Sequence, residues 1–235
     1  MKKAVVFDIY GTMIDIRTDE HDSAVYDTLA RYLAYIQVFV HPEELKQAYF
    51  QRVEEILRES TETYPEVDVF QVFDGLLRCY GRKKLPRKTV LQVAMLYRSL
   101  TIRSFALFPG VLDVLPWLKK ACRIAIVSDA QWVFTEPELA MLGLDIFFKT
   151  VLLSSRFGFK KPDPRLFSLA LDRLGVLPEE SVYIGDNPHK DLVGAKMAGM
   201  SFLFYRTECK EVNGFQADGV FHDYWEIPEL LRSMN

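Results

Sequence analysis

Ala4-Val5-Val6-Phe7-Asp8-Ile9-Tyr10-Gly11-Thr12 is the stretch that decides the fold. Four apolar residues end abruptly in a carboxylate, and a glycine three residues later lets the backbone fold back close to whatever that carboxylate faces. Ligands of an open α/β sheet bind beyond the carboxyl ends of its strands, so an aspartate closing so early a strand stands where chemistry happens. Taken alone, Asp8 reads equally well as a polar strand terminator or a helix cap. Later strands that also end in polar groups tip the balance towards catalysis.

Outward from this stretch, Met13 to Ile16 is a second extended piece, and the polar cluster Arg17-Thr18-Asp19-Glu20-His21-Asp22 opens a helical regime that lasts to about Arg103. Apolar residues recur in steps of three or four at Val25, Leu29, Leu33, Ile36 and Val40, and again at Leu45, Tyr49, Val53, Ile56 and Leu57. Further helical pieces run over 68–80 and from Pro86 to about Ile102, with Pro42, Pro65 and Gly81 marking the links. Helices of this length joined by short links predict a small antiparallel bundle. The aromatic residues Tyr26, Tyr32, Tyr35, Phe39 and Tyr49 are assigned to its core. From Phe108-Pro109-Gly110 onward, short β-branched strands over 123–127, 149–153, 181–184, 201–205 and 219–221 alternate with helices. That alternation predicts an α/β fold, a doubly wound parallel sheet with helices on both faces. The expected division is a core of residues 1–16 and 105–235, interrupted by a helical cap over 17–104.

The 235 residues are 49% hydrophobic, enough for one large core or two smaller ones. A net charge of -3 in mixed signs, without a basic block, argues against a nucleic acid partner. The apolar run after Met1-Lys2-Lys3 stops at Asp8, too short for a signal-peptide core or a membrane span, so a cytoplasmic protein without a membrane partner is expected. Cys79, Cys122 and Cys209 are widely spaced and odd in number, which supports neither a disulfide framework nor a zinc site. They are expected to be reduced and partly buried.

The polar strand ends make chemical sense together. Asp8 and Asp186, with Asp191 behind them, form an anionic cluster of hard oxygen ligands suited to Mg²⁺. Ser128 can donate to a phosphoryl oxygen, Lys161 supplies a point positive charge, and the turn amides around Ile9 and Gly11 are candidate backbone donors. Asp8 is then a carboxylate nucleophile, a route to an aspartyl-phosphate intermediate. His189 reads as a loop residue facing solvent, Lys160 as surface charge, and Arg17 and Arg103 as hinge salt-bridge partners.

Asp8-Ile9-Tyr10-Gly11-Thr12, Ser128 after an apolar strand, Gly158-Phe159-Lys160-Lys161-Pro162 and Gly185-Asp186-Asn187-Pro188-His189-Lys190-Asp191 follow the order and spacing of the haloacid dehalogenase (HAD) superfamily, which this chain resembles over essentially its whole length. The resemblance implies a hydrolase with Asp8 as nucleophile, Ser128 and Lys161 holding phosphate, and Thr12 supporting the nucleophile loop. It also implies a magnesium site of Asp8, Asp186, Asp191 and the Tyr10 backbone carbonyl, and a cap that closes over the site. The partner is a small phosphorylated substrate, and the enzyme is taken as a monomer or homodimer.

One position departs from the pattern. Phosphatases of the family usually carry a second aspartate, a general acid and base, where this chain has Tyr10. Tyrosine there resembles the dehalogenase branch, in which the same aspartate attacks a halogen-bearing carbon without a metal. The pair Gly185-Asp186 points the other way, since Asp186 and Asp191 repel a substrate carboxylate unless a cation intervenes. A magnesium-dependent phosphatase is therefore preferred, with a metal-free 2-haloacid dehalogenase as runner-up and a catalytically weak phosphate-ligand binder third. Asp15, Asp19 and Asp129 are the candidates to replace the lost acid. The first two read as solvated hinge carboxylates, while Asp129 follows the motif serine and sits near the phosphate. A phenol, with an ordinary pKa of about 10, is a poor proton donor at neutral pH. Aryl and acyl phosphates are accordingly predicted to be cleaved much faster than alkyl phosphates. Equal kcat/KM across a series of leaving groups, with chemistry rate-limiting, contradicts this.

Overall fold

The computed structural model describes residues 2–207, 209 and 211–234. β1 (Ala4–Phe7) and β2 (Ile14–Thr18) are followed by four helices, α1 (Ser23–Tyr35), α2 (Pro42–Glu59), α3 (Val69–Tyr80) and α4 (Arg87–Thr101), and β3 (Ile102–Leu107) returns antiparallel to β2. Helices and strands then alternate through α5 (Val111–Ala121), β4 (Arg123–Ser128), α6 (Trp132–Met141), β5 (Thr150–Leu153), α7 (Pro164–Leu174) and β6 (Ser181–Gly185). The chain continues with α8 (Val193–Met197), β7 (Ser201–Tyr205), the short β8 (Glu211–Val212) and β9 (Phe215–Gln216), β10 (Gly219–Phe221) and α9 (Ile227–Ser233).

Six strands form one parallel sheet in the order β10-β7-β6-β1-β4-β5. β1 is apolar throughout because it is buried on both faces. Val5 and Phe7 join Ile124, Ile126, Val182 and Ile184 on the face that packs α5 and α9, whereas Val6 joins Ala125, Val127, Tyr183 and Phe202 on the face that packs α7 and α8. From β1 the sheet grows one way through β4 and β5 and the other way through β6, β7 and β10. β1 thus borders the reversal of strand order, where an open α/β sheet leaves its crevice.

Helices α1 to α4 lie where the apolar spacing predicts them, and local chemistry explains their ends. Asp22 and Asp68 accept from the amides of Ala24 and Phe70, both at 2.9 Å, capping α1 and α3. Tyr49 and Phe73 pack at 5.5 Å between ring centroids, and both meet Tyr97, whose ring lies 6.5 Å from Phe134 of α6. The apolar interior of the helices therefore runs into that of one sheet face. Among the described residues no helix is long and apolar enough to cross a membrane.

Several expectations are corrected. Tyr35, the last residue of α1, lies off the buried stripe of Val25, Tyr26, Leu29, Ala30 and Leu33 and is 88% exposed, and after it Gln37 adopts a left-handed φ of 64° that ends the helical path before Phe39, which is 55% exposed. They are not core residues. Cys79 is exposed rather than partly buried, while Cys122 and Cys209 are half-buried. β3 goes unseen in the sequence because it continues α4 without a break. The β8–β9 hairpin is an addition to the sequence reading, and its Asn213-Gly214 pair, both at positive φ, is the signal a tight two-residue hairpin turn leaves in a sequence.

Phe202 is fully buried, between Tyr183 at 6.1 Å and Phe204 at 4.6 Å. Phe202→Ala is predicted to cost about 3–5 kcal/mol of stability, read from denaturant midpoints at unchanged m-value.

Candidate active site

Neighbouring strands bring the polar residues together. The register sets Phe7 beside Ile126 of β4 and Ile184 of β6, so Asp8, Ser128 and Asp186 leave one edge of the sheet side by side. They line a cavity of about 130 Å³ together with Tyr10, Asp129, Lys161, Lys190 and Asp191. Lys161, from the loop after β5, is buried at 2% exposure. Its ammonium donates to Asp8 Oδ1 at 2.8 Å, Asp191 Oδ1 at 2.6 Å and the Tyr183 hydroxyl at 3.0 Å. The hydroxyl in turn donates to the Val127 carbonyl at 2.6 Å. Burial alone would lower the Lys161 pKa, but Asp191 and Asp8 outweigh it and hold the ammonium well above its ordinary range.

Oxygens of Asp8, Asp186 and Asp191 all lie within 4.8 Å of one another. Burial and the nearby Asp8 raise the Asp186 carboxyl, whose Oδ1 accepts from Thr12 Oγ1 at 3.1 Å. Asp191 is fully buried, which raises it against the pull of Lys161, and its Oδ2 accepts from the Asn187 amide at 2.9 Å. A single π-helical turn, Pro188–Leu192, carries it inward, capped by Asn187 Oδ1, while His189 stays exposed. Two glycines make the crowding possible. Gly11 has φ +83°, and a Cβ there would lie 2.5 Å from Asp186 Oδ2. A Cβ at Gly185 would run into the Asp191 carboxylate. Three carboxylates face one ammonium, leaving an excess of negative charge on hard oxygen donors, a set that fits Mg²⁺.

The turn departs from expectation in its amides. The Gly11 N–H is spent on the Ile14 carbonyl at 2.9 Å, because the chain must close on itself to enter β2. Neither Gly11 nor the fully buried Ile9 lines the small cavity. Thr12 acts on Asp186, and its own carbonyl accepts from Tyr224 at 2.6 Å.

Tyr10 is placed by a network not foreseen in the sequence. Its hydroxyl donates to Glu138 and sits 2.9 Å from Thr135 Oγ1, both on α6. Burial first, and Glu138 second, push the phenol far above its ordinary pKa. Arg98 of α4 donates to Glu138 at 2.6 Å and lies 5.6 Å from the Tyr10 ring centroid. Arg98 had a signal, following Val90 and Ala94 at four-residue steps on the buried face of α4. Tyr183 had one too, as the only polar tip in the run Val182–Ile184.

A second cavity, of about 430 Å³, adjoins the first and shares Tyr10, Asp129 and Lys190 with it. Tyr49, Phe50, Val53 and Phe134 give it apolar walls, and Glu20, Glu66, Arg98 and Lys160 bring charge. Lys160 is therefore half-buried wall rather than plain surface charge. Residues 62–69, between α2 and α3, are stitched to the sheet side of this cavity. Ser154 donates to Glu66 at 2.7 Å, Trp132 Nε1 to Asp68 at 3.0 Å, and Gln131 exchanges hydrogen bonds with Val67 and Val69. Asp15 and Asp19 are exposed, Asp19 accepting from the His21 and Asp22 amides. Arg17 donates to Ser104 and Arg103 pairs with Asp22, both away from the cavities.

A family model described as haloacid dehalogenase-like hydrolase matches residues 2–199. The chain is 31% identical to a glyceraldehyde 3-phosphate phosphatase of Methanopyrus kandleri over 85% of its own length and 82% of that protein's. It is 30% identical to the protein of the same name from Methanothermobacter thermautotrophicus, over 98% of this chain and 100% of that one. Among solved structures, a 2-haloacid dehalogenase from Pseudomonas syringae superimposes with a TM-score of 0.69 at 23% identity, covering 99% of both chains. At that identity the likeness is one of fold alone.

The side chains of Arg98 and Glu138 are 13% and 4% exposed. Arg98→Met leaves a buried carboxylate uncompensated and is predicted to cost about 3–5 kcal/mol. Arg98→Met/Glu138→Leu is predicted to recover part of that loss, a non-additivity that denaturant unfolding of the single and double variants measures.

Proposed function

The chain belongs to the haloacid dehalogenase-like hydrolases, and on that premise we propose that it is a magnesium-dependent phosphatase of small phosphorylated metabolites. One observation carries the choice. Asp8, Asp186 and Asp191 cluster within 4.8 Å of one another, with Lys161 paired to Asp8 and Asp191, and that anionic cluster repels the carboxylate of a haloacid, whereas a divalent cation held there would offset both the carboxylates and a phosphate. The relatives named as phosphatases over most of the chain support the same choice.

Asp8, Asp186, Asp191 and the Tyr10 carbonyl would hold the ion, and Mg²⁺ when bound would supply positive charge to the carboxylates and to the phosphoryl oxygens. Lys161 engages Asp8 Oδ1, leaving Oδ2 as the attacking oxygen. Ser128 donates to the phosphoryl group in the smaller cavity, Lys161 holds it there through its positive charge, and the rest of the substrate occupies the larger cavity. Asp8 attacks phosphorus, the bond to the leaving oxygen breaks, and water then hydrolyses the aspartyl phosphate. Helices α1 to α4 act as the cap over 17–104 and exclude bulk water during the first step. Free Cys79, Cys122 and Cys209 suit a cytoplasmic enzyme, which we take to act as a monomer or homodimer. Glyceraldehyde 3-phosphate, for which the relatives are named, is the first metabolite to try.

The test measures p-nitrophenol from p-nitrophenyl phosphate and chloride from 2-chloropropionate, each with Mg²⁺ and with EDTA. Magnesium-dependent phosphate ester cleavage is expected, and Asp8→Asn is expected to abolish it. Chloride release that survives EDTA overturns the reading and makes Tyr10 the better guide than Asp186.

A further inference from the structure

The family's usual proton-transfer position is filled here by a residue that cannot serve. Tyr10 gives its hydroxyl hydrogen to Glu138, within a cluster completed by Thr135 and Arg98. Asp15 and Asp19 are exposed on the β2 side of the chain and line neither cavity. A different carboxylate stands at the reacting centre. Asp129, directly after β4, borders both the small cavity that contains Asp8 and the larger one beside it. Its two oxygens differ. Oδ1 accepts the Lys161 backbone N–H at 2.8 Å, which fixes the side chain. Oδ2 is buried and makes no hydrogen bond, with the Lys190 ammonium 3.2 Å away but outside hydrogen-bonding alignment. A buried carboxylate oxygen without a hydrogen-bond partner is uncommon and needs an explanation, and the Lys190 side chain that lies against it is itself 44% exposed, so its turning outward uncovers Oδ2.

We propose that Asp129 Oδ2 is the general base that activates water in the second half-reaction, taking over the function displaced by Tyr10. The inference rests on the phosphatase reading. After the first step the aspartyl phosphate remains on Asp8 and the alcohol has left through the larger cavity. With the Lys190 side chain turned aside, a water molecule at the junction of the two cavities donates a hydrogen bond to Asp129 Oδ2 and attacks phosphorus. As the new P–O bond forms, one proton passes from the water to Asp129. The bond between phosphorus and Asp8 breaks, its electron pair returns to the Asp8 carboxylate, inorganic phosphate departs, and Asp129 releases the proton to solvent. The charged side chains around Asp129 are Lys161, Lys190, Asp8, Asp186 and Asp191 about the smaller cavity, and Lys160, Glu66, Glu20 and Arg98 about the larger one. This assignment leaves the first step without a dedicated acid.

Pre-steady-state hydrolysis of p-nitrophenyl phosphate with Mg²⁺ separates the two half-reactions. Asp129→Asn keeps an oxygen for the Lys161 amide and removes the base. It is expected to release one equivalent of p-nitrophenolate in a burst and then turn over roughly 10²- to 10⁴-fold more slowly than the wild type, the range typical of lost general acid–base catalysis. The phosphorylated enzyme is expected to accumulate and to be visible by intact-protein mass. Asp129→Ser, which also offers an acceptor to the amide, serves if the first variant does not fold. Wild-type turnover in a folded variant overturns the proposal, as does a slow variant with no burst and no phosphoenzyme, which makes Asp129 a positioning residue. Both outcomes leave the phosphatase reading standing. A wild-type enzyme without magnesium-dependent release overturns that reading itself.

Discussion

The ammonium of Lys161 is the interaction on which the rest of the site depends. Bringing Asp8, Asp186 and Asp191 within 4.8 Å of one another away from water is unfavourable, because each carboxylate loses hydration and repels the other two. One buried cation with a hydrogen bond for Asp8, one for Asp191 and one for Tyr183 offsets part of that cost. Every donor of the ammonium has an acceptor, the condition under which a buried charge is tolerated. The compensation is incomplete: burial first, and the neighbouring Asp8 carboxylate after it, raise the carboxyls of Asp186 and Asp191. A site held in this state has an electrostatic demand for a further cation. The proposed metal site and the stability of the sheet edge thus have the same physical origin.

A second buried charge pair ties the helical insertion to that edge. Arg98 on α4 meets Glu138 on α6, and Tyr10, two residues beyond Asp8, closes the group from below. Since residues 62–69 are stitched to the loops after β4 and β5 as well, the insertion grips the core at two places around the larger cavity. Tyrosine at position 10 is then a structural link between helices and nucleophile loop. That accounts for a residue with no proton to give at neutral pH at this position, and it moves the search for proton transfer to Asp129. The two Asp129 oxygens have unequal environments, one fixed by a backbone amide and the other buried beside the Lys190 ammonium without an aligned hydrogen bond.

How much was legible follows from the range of the forces involved. Element type is set by local periodicity, so the alternation after Phe108 and the four helices before it could be read directly, as could the aspartates and the lysine at the strand ends. The glycines at 11 and 185 were readable as turn signals, but what they avoid, the Asp186 and Asp191 carboxylates, becomes visible only when the strands are side by side. β3 was hidden because an antiparallel ribbon depends on a partner far away in sequence, β2, rather than on its own pattern. Tyr35 and Phe39 read as bundle core in sequence, yet Tyr35 falls beside the buried stripe of α1 and a left-handed residue at Gln37 redirects the chain before Phe39.

The sequence by itself determined the α/β fold with its helical insertion, the family, and which residues gather at the carboxyl edge of the sheet, because strand order and strand-end chemistry are written in contiguous segments. Only the tertiary structure decided what those residues do to one another. The partners of Lys161, the capture of Tyr10 by Glu138 and Arg98, and the hold of the Lys161 amide on one Asp129 oxygen all join residues from 22 to 153 positions apart, brought together by sheet register and helix packing. Hydrogen bonds and ion pairs act over a few ångströms, so their outcome is fixed by where the chain has folded and not by which residues it contains.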